Sequence, residues 1–510
     1  MEWYVRNLLH ELEHLDRRHH YVLVTSPENE HLFSPRSWRW KKITYAGHES
    51  TPESFAVLPE PTPAPRGLHD WWRPRRRRRW SHGLNDLIRH ERFDLWFCPL
   101  MYMLPLEVDI PVVVTIPDLQ HEHFREFFPP SELARRALGY QYTCQRAAAI
   151  IGISEFVARD LVARYGLDPH RTVAIPLALD PSFAVTPSAR AQLVNEVRRK
   201  YGLDYDFIYY PANGWRHKNH EALVRALKIV RRQGRDLRVV LTGCVFDVGE
   251  RMGALFESRE EAAAVRHLGY VSRRDTIGLY SAATLMVFPS LFEGFGLPLL
   301  EAMQCETPVI CLPVGSVPEV GGDAVFYADP PDETGIAEAI LRLLDDPGLR
   351  QRLVEAGRAR VRQFSYRETA RRTLAIFEAV LAGPVAPSRL PPGRPLIAHH
   401  WLREGHSRWY FRCEDLRAVT LTIAQPTRLP ELADQRVTVS LNEGIVLETV
   451  IEPERSYPLS LLPRPGSSGD FHRLDVRAAA VTRFQGQTLS VQVRTLTLVR
   501  GDGAELSLIG

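Results

Sequence analysis

The segment from Phe288 to Ile310, FPSLFEGFGLPLLEAMQCETPVI, constrains the fold more than any other part of this chain. A buried-strand pattern over residues 283–288 ends at Pro289, a loop with two glycines follows, and a short apolar helix is predicted to open at Pro298. Proline suits the first helical turn because the N–H that it lacks would have had no partner there. A loop between a strand and a helix can aim backbone N–H groups at an anion, which the helix dipole also attracts. The segment therefore predicts an α/β unit that binds a ligand at this loop.

Two carboxylates bracket the glycines of this loop. Glu293 precedes them, and Glu301 lies one turn into the predicted helix. A carboxylate accepts paired hydroxyls well, as on a ribose or a hexose, and the amides of Phe295, Gly296 and Leu297 suit a diphosphate. The layout suggests a nucleotide-sugar site. Each acid taken alone also suits a plain role, with Glu301 compensating the helix N-terminus and Glu293 as a solvated loop residue.

Composition excludes several other classes of protein. A length of 510 residues suggests two to four domains, and 45% apolar with 25% charged residues is ordinary for a soluble globular protein. A net charge of +3 does not by itself predict nucleic-acid binding. The six cysteines are scattered without a C-x-x-C pair, which predicts neither a disulfide framework nor a zinc site and fits a reducing compartment. Because there is no signal peptide and no apolar run of ~18 residues, we expect a cytoplasmic protein.

Alternating strands and helices predict two α/β domains, residues 1–185 and 186–382, each with a parallel sheet covered on both faces. Strands are predicted at residues 21–25, 93–97, 112–116, 148–153, 173–176, 207–211, 238–242, 269–272 and 285–288, and helices at 2–15, 155–164, 186–202 and 364–381. The first domain opens on a helix, whereas a doubly wound domain normally begins with a strand and a glycine turn. We therefore expect a misplaced start or a truncated chain.

The composition changes after residue 382. Residues 383–395 are Pro-rich and predict an extended, semi-rigid linker. Residues 396–510 contain short alternating runs, at 418–423, 436–441 and 489–498, separated by Pro, Gly and Asn-Glu-Gly turns, which predict an antiparallel β-sandwich. Trp401, Trp409 and Tyr410 are candidates for stacking on carbohydrate. An inert packing domain is equally consistent with these runs.

The segment from Glu293 to Glu301 has the form E-x7-E with Gly-Phe-Gly-Leu-Pro inside it. It resembles the signature of retaining glycosyltransferases of family four, the glycosyl transferases group 1. Residues 115–128, TIPDLQHEHFREFF, are similar to the T-x-H-D-L-Q-H loop of mannosyltransferases in that family. Asp118 and His121 match this pattern, whereas Pro117 stands where many relatives have a histidine.

A third segment, N-G-W-R-H-K-N at residues 213–219, resembles the diphosphate-binding segment of the same family. Lys218 matches the family's lysine, just before a predicted helix at the carboxyl end of a strand. Most relatives place an arginine five residues earlier, and here that position is Asn213. Arg216 could replace this arginine from another direction. The similarity covers nearly all of residues 1–381 and none of the last domain.

The resemblance implies the GT-B fold, in which two Rossmann-like domains face a cleft and the second holds the donor. It implies that Lys218, with Arg216 and the amides of residues 295–297, stabilises the leaving diphosphate, while Glu293 holds the hexose. The remaining implied contacts are the ribose (Glu301), the diphosphate and base (Asn213, Tyr270, Val271) and the acceptor side (Asp118, His121, Glu2). The family generally uses no metal and no cofactor beyond its nucleotide-sugar co-substrate.

The implied reaction is transfer of a hexose, with mannose from GDP-mannose preferred, to a glycan or polyprenyl-linked acceptor during surface polysaccharide assembly. Two alternatives from other classes remain open. One is a non-catalytic nucleotide-sugar or carbohydrate-binding protein. The other is a nucleotide-sugar epimerase on the same two-domain scaffold.

A basic run lies between the first two predicted strands. Trp71, Trp72 and Trp80 flank five consecutive arginines at residues 75–79. Tryptophans favour a membrane interface, and each basic residue near an anionic surface contributes about 1 kcal/mol. The run therefore suggests peripheral docking on the inner face of the plasma membrane. A solvated basic loop is the alternative, and nucleic-acid binding is weaker because nothing else here resembles a nucleic-acid module.

Overall fold

The computed structural model describes residues 2–45, residues 78–383 and the β-strands of residues 397–509, with short gaps inside each range. The chain opens with the predicted amphipathic helix, Glu2–Leu15. Its apolar face, which includes Tyr4, Leu8 and Leu12, is buried in the main core. None of the helices in the described ranges is long and apolar enough to cross a membrane.

The first domain contains two parallel sheets. The three-stranded sheet pairs Tyr21–Thr25, Trp40–Tyr45 and Arg78–Trp80, and the four-stranded sheet pairs Trp96–Cys98, Val112–Ile116, Ala149–Gly152 and Thr172–Ala174. The helices of this domain after the first are Leu84–Glu91, Gln120–His123, Thr143–Arg146 and Glu155–Tyr165. The strand VVVTI at Val112–Ile116 is buried throughout its length, as expected where both sheet faces are covered.

The second domain has one six-stranded parallel sheet. Its order across the sheet is Val265–His267, Arg238–Thr242, Phe207–Pro211, Leu285–Phe288, Val309–Cys311 and Phe326–Tyr327. Numbered along the chain within this domain, the order is 3-2-1-4-5-6, which is that of a Rossmann fold. The order reverses between Phe207–Pro211 and Leu285–Phe288. Ligands of open α/β sheets bind beyond the carboxyl ends of the strands at such a switch point.

Helices cover both faces of this sheet. They are Pro187–Tyr201, His220–Arg232, Val248–Gly253, Arg259–Ala263, Arg273–Ala282, Leu297–Gln304, Val317–Gly321, Glu333–Asp345, Pro347–Val361 and Tyr366–Ala382. The last of them crosses back onto the first domain. There the Phe377 ring lies 5.0 Å from that of Phe97, and Thr369 Oγ1 donates to the Pro176 carbonyl at 2.8 Å.

The prediction of a strand at residues 269–272 is wrong. The strand is Val265–His267, and Gly269 then turns the chain with a φ of +71°. Tyr270 follows with 78% of its surface exposed. The apolar side chains of this turn resemble a strand pattern, but the turn lies beyond the sheet, where its side chains face solvent and the ligand edge.

The last domain consists of antiparallel strands, as predicted. One sheet pairs Ile397–Leu402, His406–Arg412, Phe471–Ala478, Gln435–Leu441 and Gly444–Ile451, and the other pairs Ser456–Leu461, Leu416–Ala424, Gln492–Arg500 and Glu505–Ile509. The strand predicted at residues 489–498 divides into two, Gln487–Leu489 and Gln492–Arg500.

Predictions for the C-terminal domain, the linker and the basic run stay untested. Packing of the two C-terminal sheets as a sandwich stays a prediction, as does stacking by Trp401, Trp409 and Tyr410. The linker residues 384–395 and the basic run before residue 78 lie outside the described residues.

Candidate active site

A cavity of about 470 Å³ opens at the carboxyl edge of the second sheet, beside the switch point. Most of its walls follow the ends of strands in the second domain, and one wall comes from the loop after Val112–Ile116 in the first. The lining residues are Asp118, Gln120, Pro211, Ala212, Asn213, Trp215, His217, Lys218, Thr242, Gly243, Tyr270, Val271 and Thr276. The cavity therefore lies between the two α/β domains.

Lys218 and Glu293 form an ion pair at this edge. The distance from Lys218 Nζ to Glu293 Oε1 is 2.6 Å, and the two side chains are 18% and 10% exposed. Lys218 ends a short 3-10 turn, Arg216–Lys218, and its carbonyl accepts a hydrogen bond from Tyr210 Oη at 2.8 Å. The structure thus brings together one cation and one carboxylate that are 75 residues apart in the sequence.

Asn219 joins the two loops that carry this pair. It occupies the position before helix His220–Arg232 in a left-handed conformation, with a φ of +54°. Its side chain makes no capping hydrogen bond to that helix and instead donates from Nδ2 to the Pro289 carbonyl at 3.1 Å. Because Pro289 opens the loop that contains Glu293, this bond fixes the two loops relative to each other.

Small residues let the Glu293 loop pack tightly between the two domains. A Cβ atom at Gly294 would lie 2.1 Å from the Pro117 carbonyl of the first domain, and one at Gly315 would lie 2.5 Å from the Glu293 carbonyl. Ser154 Oγ, also in the first domain, donates to the Gly294 carbonyl at 2.7 Å. A larger side chain at Gly294 would hold the domains apart.

The first domain contributes Asp118 and Gln120 to the cavity. Asp118 Oδ1 accepts the Gln120 amide at 2.9 Å. Burial raises the pKa of the Asp118 carboxyl, the Glu293 charge acts in the same direction, and Lys218 opposes both. The Gln120 side-chain amide contacts Nδ1 of His217 across the cleft.

The His217 ring beside Lys218 is neutral at ordinary pH. Burial lowers its pKa to about 3, and the neighbouring Lys218 charge acts in the same direction. Since the Gln120 amide nitrogen can only donate, Nδ1 of His217 accepts, and the ring proton is on Nε2. Gln120 and His217 thus supply a neutral polar pair beside the Lys218–Glu293 ion pair.

Glu301 lies in a separate polar cluster and does not line the cavity. Its Oε1 accepts from Arg273 Nη1 at 3.2 Å, and its Oε2 accepts from Tyr280 Oη at 2.9 Å. Burial raises the pKa of Glu301, whereas the bonds from Tyr280 and Arg273 act in the opposite direction. Both carboxylate oxygens are therefore held by donors from a single helix, Arg273–Ala282.

The glycine loop enters its helix as a left-handed turn. Gly296 has a φ of +91°, and the helix begins at Leu297, one residue before the predicted Pro298. No side chain caps this helix start. Phe295 is 3% exposed and packs edge-on against Phe364 at 5.7 Å, so its ring anchors the loop.

Of the other predicted site residues, some line the cavity and others lie away from it. Tyr270, Val271 and Asn213 line the cavity, and Asn213 Oδ1 accepts the Cys244 amide at 2.9 Å. Arg216 is exposed on the 3-10 turn. His121 is 1% exposed, with its ring 4.7 Å from that of Tyr140, and does not line the cavity.

Sequence reasoning missed several residues of the cavity wall, including Gln120, His217, Thr242, Gly243 and Thr276. The sequence could have indicated Gly243, because this glycine directly follows the strand Arg238–Thr242. Its φ is +125°, and a Cβ atom there would lie 2.8 Å from the Ala212 carbonyl. In the part of the chain that the structure describes, no group of three or more His, Cys, Asp or Glu side chains could hold a metal ion.

Comparisons with known proteins identify the family of this chain. The family model described as Glycosyl transferases group 1 matches residues 194–360, and the one described as Glycosyltransferase Family 4 matches residues 1–183. The O-antigen chain mannosyltransferase B of Escherichia coli is 30% identical over 268 residues, which make up 52% of this chain and 70% of that relative. The chain belongs to glycosyltransferase family 4. The resemblance seen in the E-x7-E segment is confirmed.

Other relatives of this family-4 glycosyltransferase are longer proteins or are named for a different activity. The serotype-specific mannosyltransferase WbdA of Escherichia coli is 31% identical over 264 residues, which are 51% of this chain but only 31% of WbdA. The alpha-maltose-1-phosphate synthase of Mycobacterium tuberculosis is 28% identical over 312 residues, 56% of this chain and 78% of that enzyme. The chain thus spans about a third of the length of WbdA.

Solved structures resemble the α/β part of the family-4 glycosyltransferase. WaaG, a glycosyltransferase involved in lipopolysaccharide biosynthesis, has a TM-score of 0.51 at 15% identity, covering 73% of this chain and 94% of WaaG. A glycosyltransferase from Rickettsia africae has a TM-score of 0.51 at 16% identity, covering 72% of this chain and 99% of that one. At these identities the likeness shows the fold, which is the predicted GT-B arrangement.

Proposed function

We propose that this family-4 glycosyltransferase is a retaining hexosyltransferase that moves mannose from GDP-mannose to a glycan or polyprenyl-linked acceptor in surface polysaccharide assembly. The observation that carries the proposal is the Lys218–Glu293 pair, which sits at the switch point of the second sheet with Asp118 facing it across the cleft. Mannose is favoured because two similar relatives are named mannosyltransferases.

The pair offers complementary groups to a sugar diphosphate. Lys218 and Glu293 neutralise each other at 2.6 Å, so a donor can enter by exchange of partners. The lysine then contacts the diphosphate, and the carboxylate accepts hydroxyls of the hexose. Lys218 thereby exchanges one anionic partner for another, whereas Glu293 exchanges a cation for neutral hydroxyl donors, which satisfy its oxygens by hydrogen bonds alone.

The chemical step is stabilisation of the leaving group. The bond between the anomeric carbon and the diphosphate oxygen breaks, the acceptor oxygen bonds to that carbon on the same face, and the acceptor proton passes to the departing phosphate oxygen. No side-chain base is needed for this balance. Lys218, Arg216 and the amides of residues 295–297 stabilise the charge that builds on the diphosphate.

The remaining roles extend this assignment outward from the diphosphate. Glu301 accepts the ribose hydroxyls, and Tyr270 with Val271 borders the base. Asp118 meets the acceptor and is aided by His121 and Glu2. The C-terminal strands pack as a sandwich, and the basic run around residues 75–79 docks the cytoplasmic enzyme on the anionic inner face of the membrane.

A donor screen followed by a product assay tests the proposal. Thermal-shift measurements with GDP-mannose, UDP-glucose and ADP-glucose should single out GDP-mannose, since ligand at 100 times its Kd adds about 2.7 kcal/mol to the free energy of unfolding. The best donor is then incubated with polyprenyl-diphosphate-linked saccharide, and the anomeric configuration of the product is read by NMR.

Each outcome of this assay separates the alternatives. Transfer with retained configuration supports the proposal, and transfer with inversion contradicts it. Binding without transfer to any acceptor favours a non-catalytic binder. Interconversion of the donor sugar in the absence of acceptor favours an epimerase.

A further inference from the structure

One arginine links Glu301 to the opening helix of the first domain. Arg273 donates from Nη1 to Glu301 Oε1 at 3.2 Å. Its guanidinium carbon also lies 4.6 Å from the ring centre of Trp3 and 5.0 Å from that of Phe183. Trp3 belongs to helix Glu2–Leu15, whereas Arg273 and Glu301 belong to the second domain.

The surroundings leave this guanidinium little freedom. Phe183 is fully buried, and Trp3 remains 39% exposed. A guanidinium is planar and is attracted to aromatic faces, so the two rings restrain its orientation while one of its N–H groups stays on the carboxylate. A lysine would provide the charge but not the flat faces.

The carboxylate held in this way keeps acceptor capacity. Each oxygen of Glu301 receives one donor, Arg273 on Oε1 and Tyr280 on Oε2. A carboxylate oxygen has two lone pairs, so one acceptor position remains on each. Two vicinal hydroxyls can occupy these two positions together only if the carboxylate plane is fixed.

We infer that Arg273, packed against Trp3, is the positioning residue that fixes the Glu301 carboxylate for the paired hydroxyls of a ribose. The opening helix of the first domain thereby takes part in donor recognition. The inference rests on the proposed function, which assigns the ribose to Glu301. It predicts that discrimination between ribose and deoxyribose depends on a side chain that does not itself contact the nucleotide.

The adjacent Arg274 provides a matched control. It is the second residue of the same helix, its side chain is 60% exposed, and it pairs with Glu196 at 2.8 Å rather than with Glu301. Replacing Arg274 removes the same charge from the same turn. It leaves the Trp3–Arg273–Glu301 contacts in place.

The test is calorimetric titration of GDP and 2′,3′-dideoxy-GDP into the full-length protein. The wild type and Arg274→Met should bind GDP at least tenfold more tightly than the dideoxy analogue, because hydroxyls bonded to a charged group are lost. In Arg273→Met this affinity ratio should fall to about threefold or less. The ratio in Trp3→Leu should lie between those of the wild type and Arg273→Met. Arg273→Lys, which preserves the charge and is the fallback if Arg273→Met does not fold, should also lose at least threefold of the ratio.

The outcomes distinguish failure of this inference from failure of the proposed function. If Glu301→Gln lowers the ratio while Arg273→Met and Arg273→Lys keep the wild-type value, this inference is wrong and the ribose assignment holds. If Glu301→Gln keeps the wild-type ratio, the ribose assignment itself is wrong. UDP and its dideoxy analogue are titrated in the same way as the guanosine pair. If the wild type binds neither GDP nor UDP, the proposed function and this inference are both wrong.

Discussion

The two carboxylates of the E-x7-E segment lie in contrasting regions. The region that we propose binds the diphosphate (Lys218 and Glu293, here the diphosphate region) pairs two opposite charges directly, at 2.6 Å. Lys218 ends a 3-10 turn, and Glu293 is on a loop. In the region that we propose binds the ribose (Glu301, Arg273 and Tyr280, here the ribose region), the carboxylate is on a helix and is held by two donors from a second helix. One region can bind a ligand only by exchanging partners, and the other can bind one while keeping its own.

This difference assigns different work to the two regions. Under the proposed function, exchange of partners lets Lys218 follow the charge that develops on the leaving group, which would be a contribution to the transition state. A carboxylate that keeps its position and its donors binds the ground state and the transition state equally. We therefore expect the diphosphate region to govern turnover and the ribose region to govern affinity.

The largest expected effect comes from Lys218→Ala. Turnover at saturating donor should fall about 30-fold or more, because stabilisation of the leaving diphosphate is lost. The matched control is Lys228→Ala, which removes a lysine of similar exposure, 14%, that pairs with Glu257 in the same domain. Steady-state kinetics on the purified full-length enzyme measures both. A loss of turnover below threefold in Lys218→Ala would show that the diphosphate region does not govern turnover.

Glu301→Ala should affect affinity instead. The Kd for the nucleoside diphosphate should rise about tenfold, while turnover at saturating donor stays within threefold of the wild type. Calorimetry and steady-state kinetics give the two quantities, with Glu338→Ala on the exposed face of helix Glu333–Asp345 as control. Unchanged affinity would remove Glu301 from the ribose region, and a collapse of turnover would erase the distinction between the two regions.

A smaller effect is expected from Tyr270→Ala at the cavity rim. Tyr270 is 78% exposed and lines the cavity, so its ring is available to stack on a base. Stacking of a base on an aromatic ring is worth roughly 1 kcal/mol or more, which corresponds to about a fivefold weaker Kd for the nucleotide. Tyr270→Phe preserves the ring and should bind like the wild type. Equal affinities in all three proteins would place the base elsewhere.

The smallest effect concerns pH. Burial raises the pKa of Glu301, so its carboxylate gains a proton at a higher pH than an ordinary glutamate as the solution is acidified. The protonated form accepts hydroxyls less well, and nucleotide affinity should therefore fall as pH decreases through this raised pKa. Titrations between pH 8 and pH 5 should show a steeper loss in the wild type than in Glu301→Gln. Parallel profiles would show that Glu301 does not titrate in the site.

Much of the second domain could be predicted because buried parallel strands are continuous apolar runs. Strands Phe207–Pro211, Arg238–Thr242 and Leu285–Phe288 are found with the predicted bounds. The strand prediction for residues 269–272 is wrong because apolar residues in a turn at the edge of the sheet have the same local pattern as a buried strand. Only pairing across the sheet tells the two apart.

The sequence alone determined which charged residues stand beyond the ends of strands. Lys218, Glu293 and Glu301 follow from the alternation of apolar runs with glycine loops, since parallel strands bring their carboxyl ends to one edge. Only the tertiary structure decided which partners these residues meet. The pairing of Lys218 with Glu293, the contacts of Arg273 and the Gln120–His217 bridge all join elements distant in the chain. Their geometry depends on how helices and domains pack, and no local pattern records that packing.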